Sequence, residues 1–220
     1  MKKFFVIVAT STLILSGCGA SKKSQLAMYQ QPVSPQSSIA SVVDDDPVTE
    51  WKREGFKMTG AMSTFSMRQA LDYHNSKILS DRDRFVAVMG TSEGAGMKDL
   101  TSASLVAQND AAIRYAQAAG SVISGGIGRE FANFSEQGAK LMGAYTQKVS
   151  EYIMPLMKES FAIFKVDGEY YHVRTYYIID EVSALKAREE AMDKALKETA
   201  TEQVFGSSVN TWVKEFVKTE

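Results

Sequence analysis

The sequence predicts an α+β fold: a small three-stranded sheet in the order strand, helix, strand, strand, helix, covered by helices on at least one face. Three observations carry that expectation. A short unbroken apolar run at residues 85–89 reads as a buried strand. Residues 160–179 read as a β-hairpin around Asp167-Gly168. Long stretches around them repeat apolar residues at helical spacing. Three strands alone bury little surface, so helices have to supply the second layer.

The folded part is expected to open at residue 51, where Trp51, Phe56, Met58, Met62 and Phe65 are apolar but without a period. Met67, Ala70, Leu71, His74 and Ile78 then fall on one face of a helix. After the strand at 85–89, Gly90, Gly94 and Gly96 mark a loop, and Asp99 or Thr101 can cap a long helix. Its expected stripe is Leu105, Ala112, Ala116, Ala119 and Ile123, with Val106 and Ile113 alongside. Gly125-Gly126 and Gly128 are expected to break or kink it. Leu141, Met142, Tyr145, Val149, Tyr152 and Ile153 form the next helical face, which Pro155 ends.

In the hairpin, Asp167-Gly168 is expected to form the two-residue turn, because a type I′ turn needs positive φ at both central positions. Tyr171, Val173, Thr175, Tyr177 and Ile179 are expected to face the core, with His172 and Arg174 toward water. Asp180 can cap a helix carrying Val182, Leu185, Met192, Leu196 and Thr199 on its inner face, and Lys186, Arg188, Glu189, Glu190, Lys194 and Lys197 outside. Past Gly206, Val209, Trp212, Val213, Phe216 and Val217 mark a last amphipathic helix, expected to pack on its own sheet. No internal repeat stands out.

The N-terminus carries a different message. Lys2 and Lys3 precede a mostly apolar run at residues 4–15. A bilayer span takes about 20 apolar residues, so this run has the length of a signal-peptide core. Leu15-Ser16-Gly17-Cys18 follows, and Cys18 is the only cysteine among 220 residues. The stretch resembles the bacterial lipoprotein lipobox. The resemblance implies a thioether-linked diacylglycerol on Cys18, cleavage between Gly17 and Cys18, and acylation, as by palmitate, of the freed amine. Gly19, rather than Asp, follows the cysteine, which by the same resemblance implies the outer membrane.

Residues 1–17 are thus expected to be a lipoprotein signal peptide, 18–50 a lipidated N-terminus and disordered tether, and 51–220 a single α+β domain. The tether is rich in Ser, Gln and Pro and closes on Asp44-Asp45-Asp46 and Pro47. The triple acid lacks the spacing of a calcium loop and reads as a solvated charge run. Loss of Lys2 and Lys3 takes the formal charge from −1 to 23 − 26 = −3. No basic excess points to nucleic acid. One cysteine excludes an internal disulfide and any multi-cysteine metal site.

Three further features occur together. The strand at 85–89 leads through a glycine-bearing loop into a helix with Ala103, Ala107, Ala111 and Ala112. A hairpin follows, with Phe161-Ala162-Ile163-Phe164, Gly168 and Tyr170-Tyr171-His172-Val173. A helix with Ala184, Ala187 and Ala191 comes next. This combination resembles the LPP-twenty family of bacterial outer-membrane lipoproteins, whose strand–helix–strand–strand–helix module is similar to the N-terminal domain of a flagellar-ring protein. It covers about residues 84–200. The resemblance carries over no catalytic residues and implies an envelope-associated, non-enzymatic role.

Motifs for chemistry are sparse. His74 lies on an apolar stripe and reads as a core histidine; His172 reads as a surface one. Their separation gives no zinc spacing. Gly90, Gly94 and Gly96 lack the Lys-Ser/Thr ending of a phosphate loop. Glu169, Asp180 and Glu181 cannot be paired from sequence for glycoside chemistry. Tyr170, Tyr171, Tyr176 and Tyr177 can pack the sheet, or stack on sugars or a partner. The expected function is a lipid-anchored cell-envelope protein, non-enzymatic, facing the periplasm, with a protein partner and no metal or cofactor. The alternatives are glycan or peptidoglycan binding through the tyrosines, and a hydrolase using scattered carboxylates.

Overall fold

The structure is a computed structural model, and it describes residues 46–130, 136–199, 211, 213–215 and 217. In chain order the elements are α1 (Pro47–Arg53), β1 (Lys57–Thr59), a 3₁₀ turn (Gly60–Met62), α2 (Met67–Ser80), β2 (Phe85–Thr91), α3 (Leu100–Glu130), α4 (Glu136–Ile153), a second 3₁₀ turn (Met154–Leu156), β3 (Lys158–Asp167), β4 (Tyr170–Asp180) and α5 (Glu181–Glu198). Residues 211, 213–215 and 217 are helical. The expected signal peptide, Cys18, Asp44 and Asp45 lie outside the described residues, as do Gly206, Val209, Trp212 and Phe216.

The fold is α+β, and the sheet has four antiparallel strands in the order β1-β3-β4-β2. The three-stranded expectation misses β1. That strand is three residues long and pairs Lys57 with Phe164, Met58 with Ile163 and Thr59 with Ala162. So short a segment cannot display an alternating pattern. The hairpin turn also differs by one residue. Asp167 pairs with Tyr170 at the ends of the strands, leaving Gly168 and Glu169 in the turn. Gly168 takes φ +60°, so the glycine requirement holds while the register shifts.

One face of the sheet carries α3, α4 and α5. Ala112, Tyr115, Ala116 and Ile123 meet Leu141, Tyr145, Val149 and Ile153, with Tyr177 and Ile179 from β4 below them. Ala184, Ala191, Met192 and Ala195 of α5 join this core, as do Val213 and Val217. Helix α3 lies unusually close to β2. A Cβ added to Gly90 would fall 1.9 Å from the Ala107 carbonyl oxygen and 2.8 Å from the Ala111 methyl. Only small side chains fit between, so Ala103, Ala107 and Ala111 are the residues turned inward. Of the expected stripe Ala112, Ala116, Ala119 and Ile123 are buried, whereas Leu105 is 60% exposed and Ile113, expected alongside it, 38%.

Asp99 does cap α3, accepting from the Ser102 N–H at 2.7 Å. The expected break at Gly125-Gly126 and Gly128 is absent, and α3 runs unbroken to Glu130. An interior glycine costs a helix only about 1 kcal/mol, which the packing of α3 on α4 offsets.

Asp180 caps α5 as expected, accepting from the Ser183 N–H at 3.1 Å and its hydroxyl at 2.8 Å. The inner face of α5 differs from expectation: Val182 is exposed and Arg188 is buried. Arg188 donates to Glu181 at 2.7 Å and to the Tyr115 hydroxyl, so its charge is paired inside the helical layer. Burial pushes the Tyr115 hydroxyl up to about 12, keeping it a neutral acceptor for Arg188.

The other sheet face is covered as well, by α1 and α2. Val48, Trp51, Phe56, Met67 and Ala70 pack on Phe161 and Ile163, with Tyr176 against them. The fold therefore begins before the expected boundary at residue 51. Asp46 is the N-cap of α1, accepting from the Val48 N–H at 3.3 Å and the Thr49 hydroxyl at 3.1 Å, and it pairs with Arg68 of α2. Pro47, placed by the sequence in a charge-and-proline stop, is the first helical residue, where its missing N–H is harmless.

The Gly90 contact yields a stability prediction. Gly90→Ala should lose about 1–3 kcal/mol in denaturant unfolding, because neither the α3 backbone nor β2 can yield without shifting the layer. Gly143→Ala, where the added methyl meets nothing within 4 Å, should instead gain about 0.5–1 kcal/mol.

Candidate functional site

The layer formed by α1, β1 and α2 is where the unusual chemistry gathers. Its base is a stacked aromatic pair across β3 and β4: Phe161 and Tyr176 lie 4.3 Å apart and 8° from parallel. Trp51 of α1 covers both, with centroids 6.0 and 5.6 Å away. His74 of α2 meets the same two rings edge-on at 5.7 and 5.8 Å. His74 is 5% exposed, and its Nδ1 has no hydrogen-bond partner. Burial pushes it down to about 4, so it is neutral at ordinary pH. It is the core histidine that its stripe predicts. Among the described residues no group of three or more His, Cys, Asp or Glu is placed to hold a metal ion.

A charged clasp fastens this layer at its far side. Glu54, just after α1, accepts from Arg174 at 3.1 Å and from Lys165 at 3.5 Å. Arg174 also reaches Glu93 at 2.7 Å. Both cations stand over the Phe56 ring, Arg174 at 4.4 Å and Lys165 at 4.8 Å. Arg174 thus does not face open water as the alternation implies. His172 pairs with Lys165 across the hairpin and is half-buried, its Nδ1 unpartnered.

Beside the aromatic cluster an open groove of about 600 Å³ runs between α2 and the start of β3. Met62, Phe65, Gln69 and Tyr73 form one wall; Glu159 and Ser160 form the other. Phe65 and Tyr73 are each 47% exposed, a large apolar surface to leave in water. Local folding explains the first wall. Ser66 and Gln69 make a reciprocal capping box: the Gln69 N–H donates to Ser66 Oγ at 3.2 Å, and the Ser66 N–H donates to Gln69 Oε1 at 3.0 Å. Phe65, immediately before the cap, and Tyr73 then share the Gln69 side of α2. Lys77 stands 5.8 Å from the Tyr73 ring centre.

On the opposite wall, the ladder slips between Glu159 and Phe161, so Ser160 occupies a β-bulge. Its hydroxyl is buried and has no partner. The Glu159 carboxylate accepts from the Ala61 N–H at 3.4 Å, which ties β3 to the 3₁₀ turn.

The four tyrosines of β4 do not make one face. Tyr176 is inside the aromatic cluster, while Tyr177 is buried on the opposite side of the sheet. Tyr171 lies 6.3 Å from Phe164 in a stacked pair, and Tyr170 is exposed at the turn. The carboxylates have structural partners: Glu169 pairs with Lys98 at 2.8 Å, Asp180 caps α5, and Glu181 holds Arg188. Gly90 belongs to β2, and Gly94 and Gly96 take φ +81° and +64° in the strand-to-helix connection. That connection is stitched to β4 by Ser92, whose N–H donates to the Val173 carbonyl and whose hydroxyl accepts from the Val173 N–H, both at 2.9 Å.

The arrangement defines a class: an α+β domain with a helical layer on each sheet face and an open aromatic groove at one margin. No family model, curated protein or solved structure matches the chain. No helix among the described residues is long and apolar enough to cross a membrane.

His74 supplies a pH prediction. The unfolded chain takes up a proton near 6.5, the folded chain only near 4. Between these values the unfolded state binds more protons, so stability falls as pH falls, by roughly 3 kcal/mol across the window. Asp99 and Asp180, held below the ordinary carboxylate range by the Ser102 N–H and the Ser183 hydroxyl, lose their contributions only at lower pH. Urea unfolding of His74→Leu from pH 7 to 4 should show a much flatter decline than the parent chain.

Proposed function

We propose that this protein is a lipid-anchored component of the bacterial cell envelope, held at the outer membrane with its domain facing the periplasm. Its role is non-enzymatic, structural or interaction-based, and its partner is another envelope protein. Leu15-Ser16-Gly17-Cys18, placed directly after Lys2, Lys3 and the apolar run at 4–15, carries this reading. One acyl chain binds a bilayer marginally; two or three on Cys18 hold it there, at about 0.8 kcal/mol per buried methylene.

The domain's first capped residue supports the same reading. Asp46 starts α1, so residues 18–45 separate the anchor from the fold. As a flexible tether, a segment of this length reaches roughly 30 Å. It joins the layer that carries the groove and leaves the α3, α4 and α5 side remote from the attachment point.

The reading extends to kinship with the LPP-twenty lipoproteins. The alanines that carry that resemblance, Ala103, Ala107, Ala111 and Ala112 on α3 and Ala184, Ala187 and Ala191 on α5, are all buried against neighbouring elements. They are the positions where a larger side chain would separate the layers.

Fractionation of cells expressing the full chain tests the anchor. The unaltered protein should stay with membranes through a high-salt wash, and Cys18→Ala should move it to the soluble fraction or leave it unprocessed. Equal salt-resistant retention of a correctly cleaved Cys18→Ala chain contradicts the proposal.

A further inference from the structure

We propose that the groove between α2 and β3 is a saccharide-binding site for a neutral, hydroxyl-rich glycan segment. The site stands whether or not Cys18 is lipidated, because every residue in it belongs to the described domain.

The chemistry of the walls selects this ligand class. A sugar ring has apolar C–H faces and polar edges. It needs a flat aromatic surface for the first and fixed donors and acceptors for the second. Phe65 and Tyr73 supply the surface. Phe65, the residue before the Ser66 cap, and Tyr73 within α2 stand four positions to either side of Gln69, and all three line the groove. Gln69 lies between them, and its Oε1 is engaged by the Ser66 N–H and hydroxyl, leaving its NH₂ group as the donor.

The opposite wall supplies an acceptor. Glu159 is braced by the Ala61 N–H. Ser160 is 7% exposed and carries a hydroxyl with no partner, in a bulge that lifts it out of the β3–β4 ladder. That hydroxyl is sealed from solvent, so the polar groups a ligand in the groove meets are the Gln69 amide and the Glu159 carboxylate.

The same walls disfavour other occupants. The lining residues include the Glu159 carboxylate and no Lys or Arg, and Lys77 stands over the Tyr73 ring, so a phosphate or other anion meets Lys77 at one wall and repulsion from Glu159 at the other. An apolar peptide would cover Gln69 and Glu159 without satisfying them. The groove also replaces the β4 tyrosines as the sugar-stacking surface, since Tyr176 and Tyr177 are enclosed on opposite faces of the sheet.

Calorimetric titration of the detergent-solubilised full chain tests the site. The probes are a β-1,4-linked N-acetylglucosamine tetramer, a β-1,4-linked glucose tetramer, and an apolar heptapeptide, with sedimentation on purified cell-wall sacculi in parallel. At least one saccharide probe or the sacculi should bind. Phe65→Ala and Tyr73→Ala should each weaken that binding about tenfold, with thermal unfolding unchanged. Tyr170→Ala, at an exposed tyrosine outside the groove, should leave it intact. The proposal is overturned if no saccharide probe or sacculus binds. It is also overturned if binding survives both aromatic substitutions, or if only the heptapeptide binds.

Discussion

The stacked Phe161–Tyr176 pair is the constraint on which the rest of this structure depends. Two large rings side by side on the outer face of a sheet cannot be left in water without cost; covering an aromatic side chain contributes about 1.5–3 kcal/mol. Trp51 and His74 close over them from two different helices. That closure turns a two-layer hairpin-and-helix module into a sheet covered on both faces. It decides where α1 lies, and hence that the chain arriving from the N-terminus enters at Asp46. It also holds α2 beside β3, where the groove lies between them. His74 is part of the cover, and its neutral state is a consequence of sitting there.

The two layers are built on different principles. The α3, α4 and α5 side is held by close approach: Gly90 against Ala107 and Ala111, with alanines repeated along α3 and α5. The α1 and α2 side is held by large rings and by a clasp of Glu54, Arg174, Lys165 and Glu93 around Phe56. Small-residue packing tolerates almost no change in volume. Aromatic packing with a polar margin leaves room beside it. The groove is accordingly found on the second side.

What the sequence reveals follows from this difference. The hairpin is legible because β4 alternates over much of its eleven residues and Gly168 marks the turn before it. Strand β1 is not, because three residues carry no period. In α3 the predicted stripe holds at Ala112, Ala116, Ala119 and Ile123 but takes in the exposed Leu105 and passes over Ala103, Ala107 and Ala111, since alanines contribute weakly to any hydrophobic pattern yet are the residues that fit over Gly90. Arg188 is misread for the opposite reason: a buried guanidinium is satisfied by Glu181 and Tyr115, and Tyr115 lies 73 positions away in the chain. The resemblance of Leu15-Ser16-Gly17-Cys18 to a lipobox is local and needs only the sequence. The groove joins Phe65, Gln69 and Tyr73 to Glu159 and Ser160 across the sheet, and none of the five is unusual in its own segment. The one available hint was that Tyr73 falls off the stripe of Met67, Ala70 and His74.

The most direct measurement is the proximity of Trp51 to Tyr176 in solution, read from nuclear Overhauser effects between the indole and phenol ring protons of the full chain at neutral pH. The structure predicts clear cross-peaks from Trp51 to both Tyr176 and Phe161, with His74 ring protons shifted by the same aromatic cluster. Absence of those cross-peaks in a folded chain, together with a Trp51 indole exchanging freely with water, would show the outer sheet face uncovered. The groove and the placement of α1 at the start of the fold would fall with it.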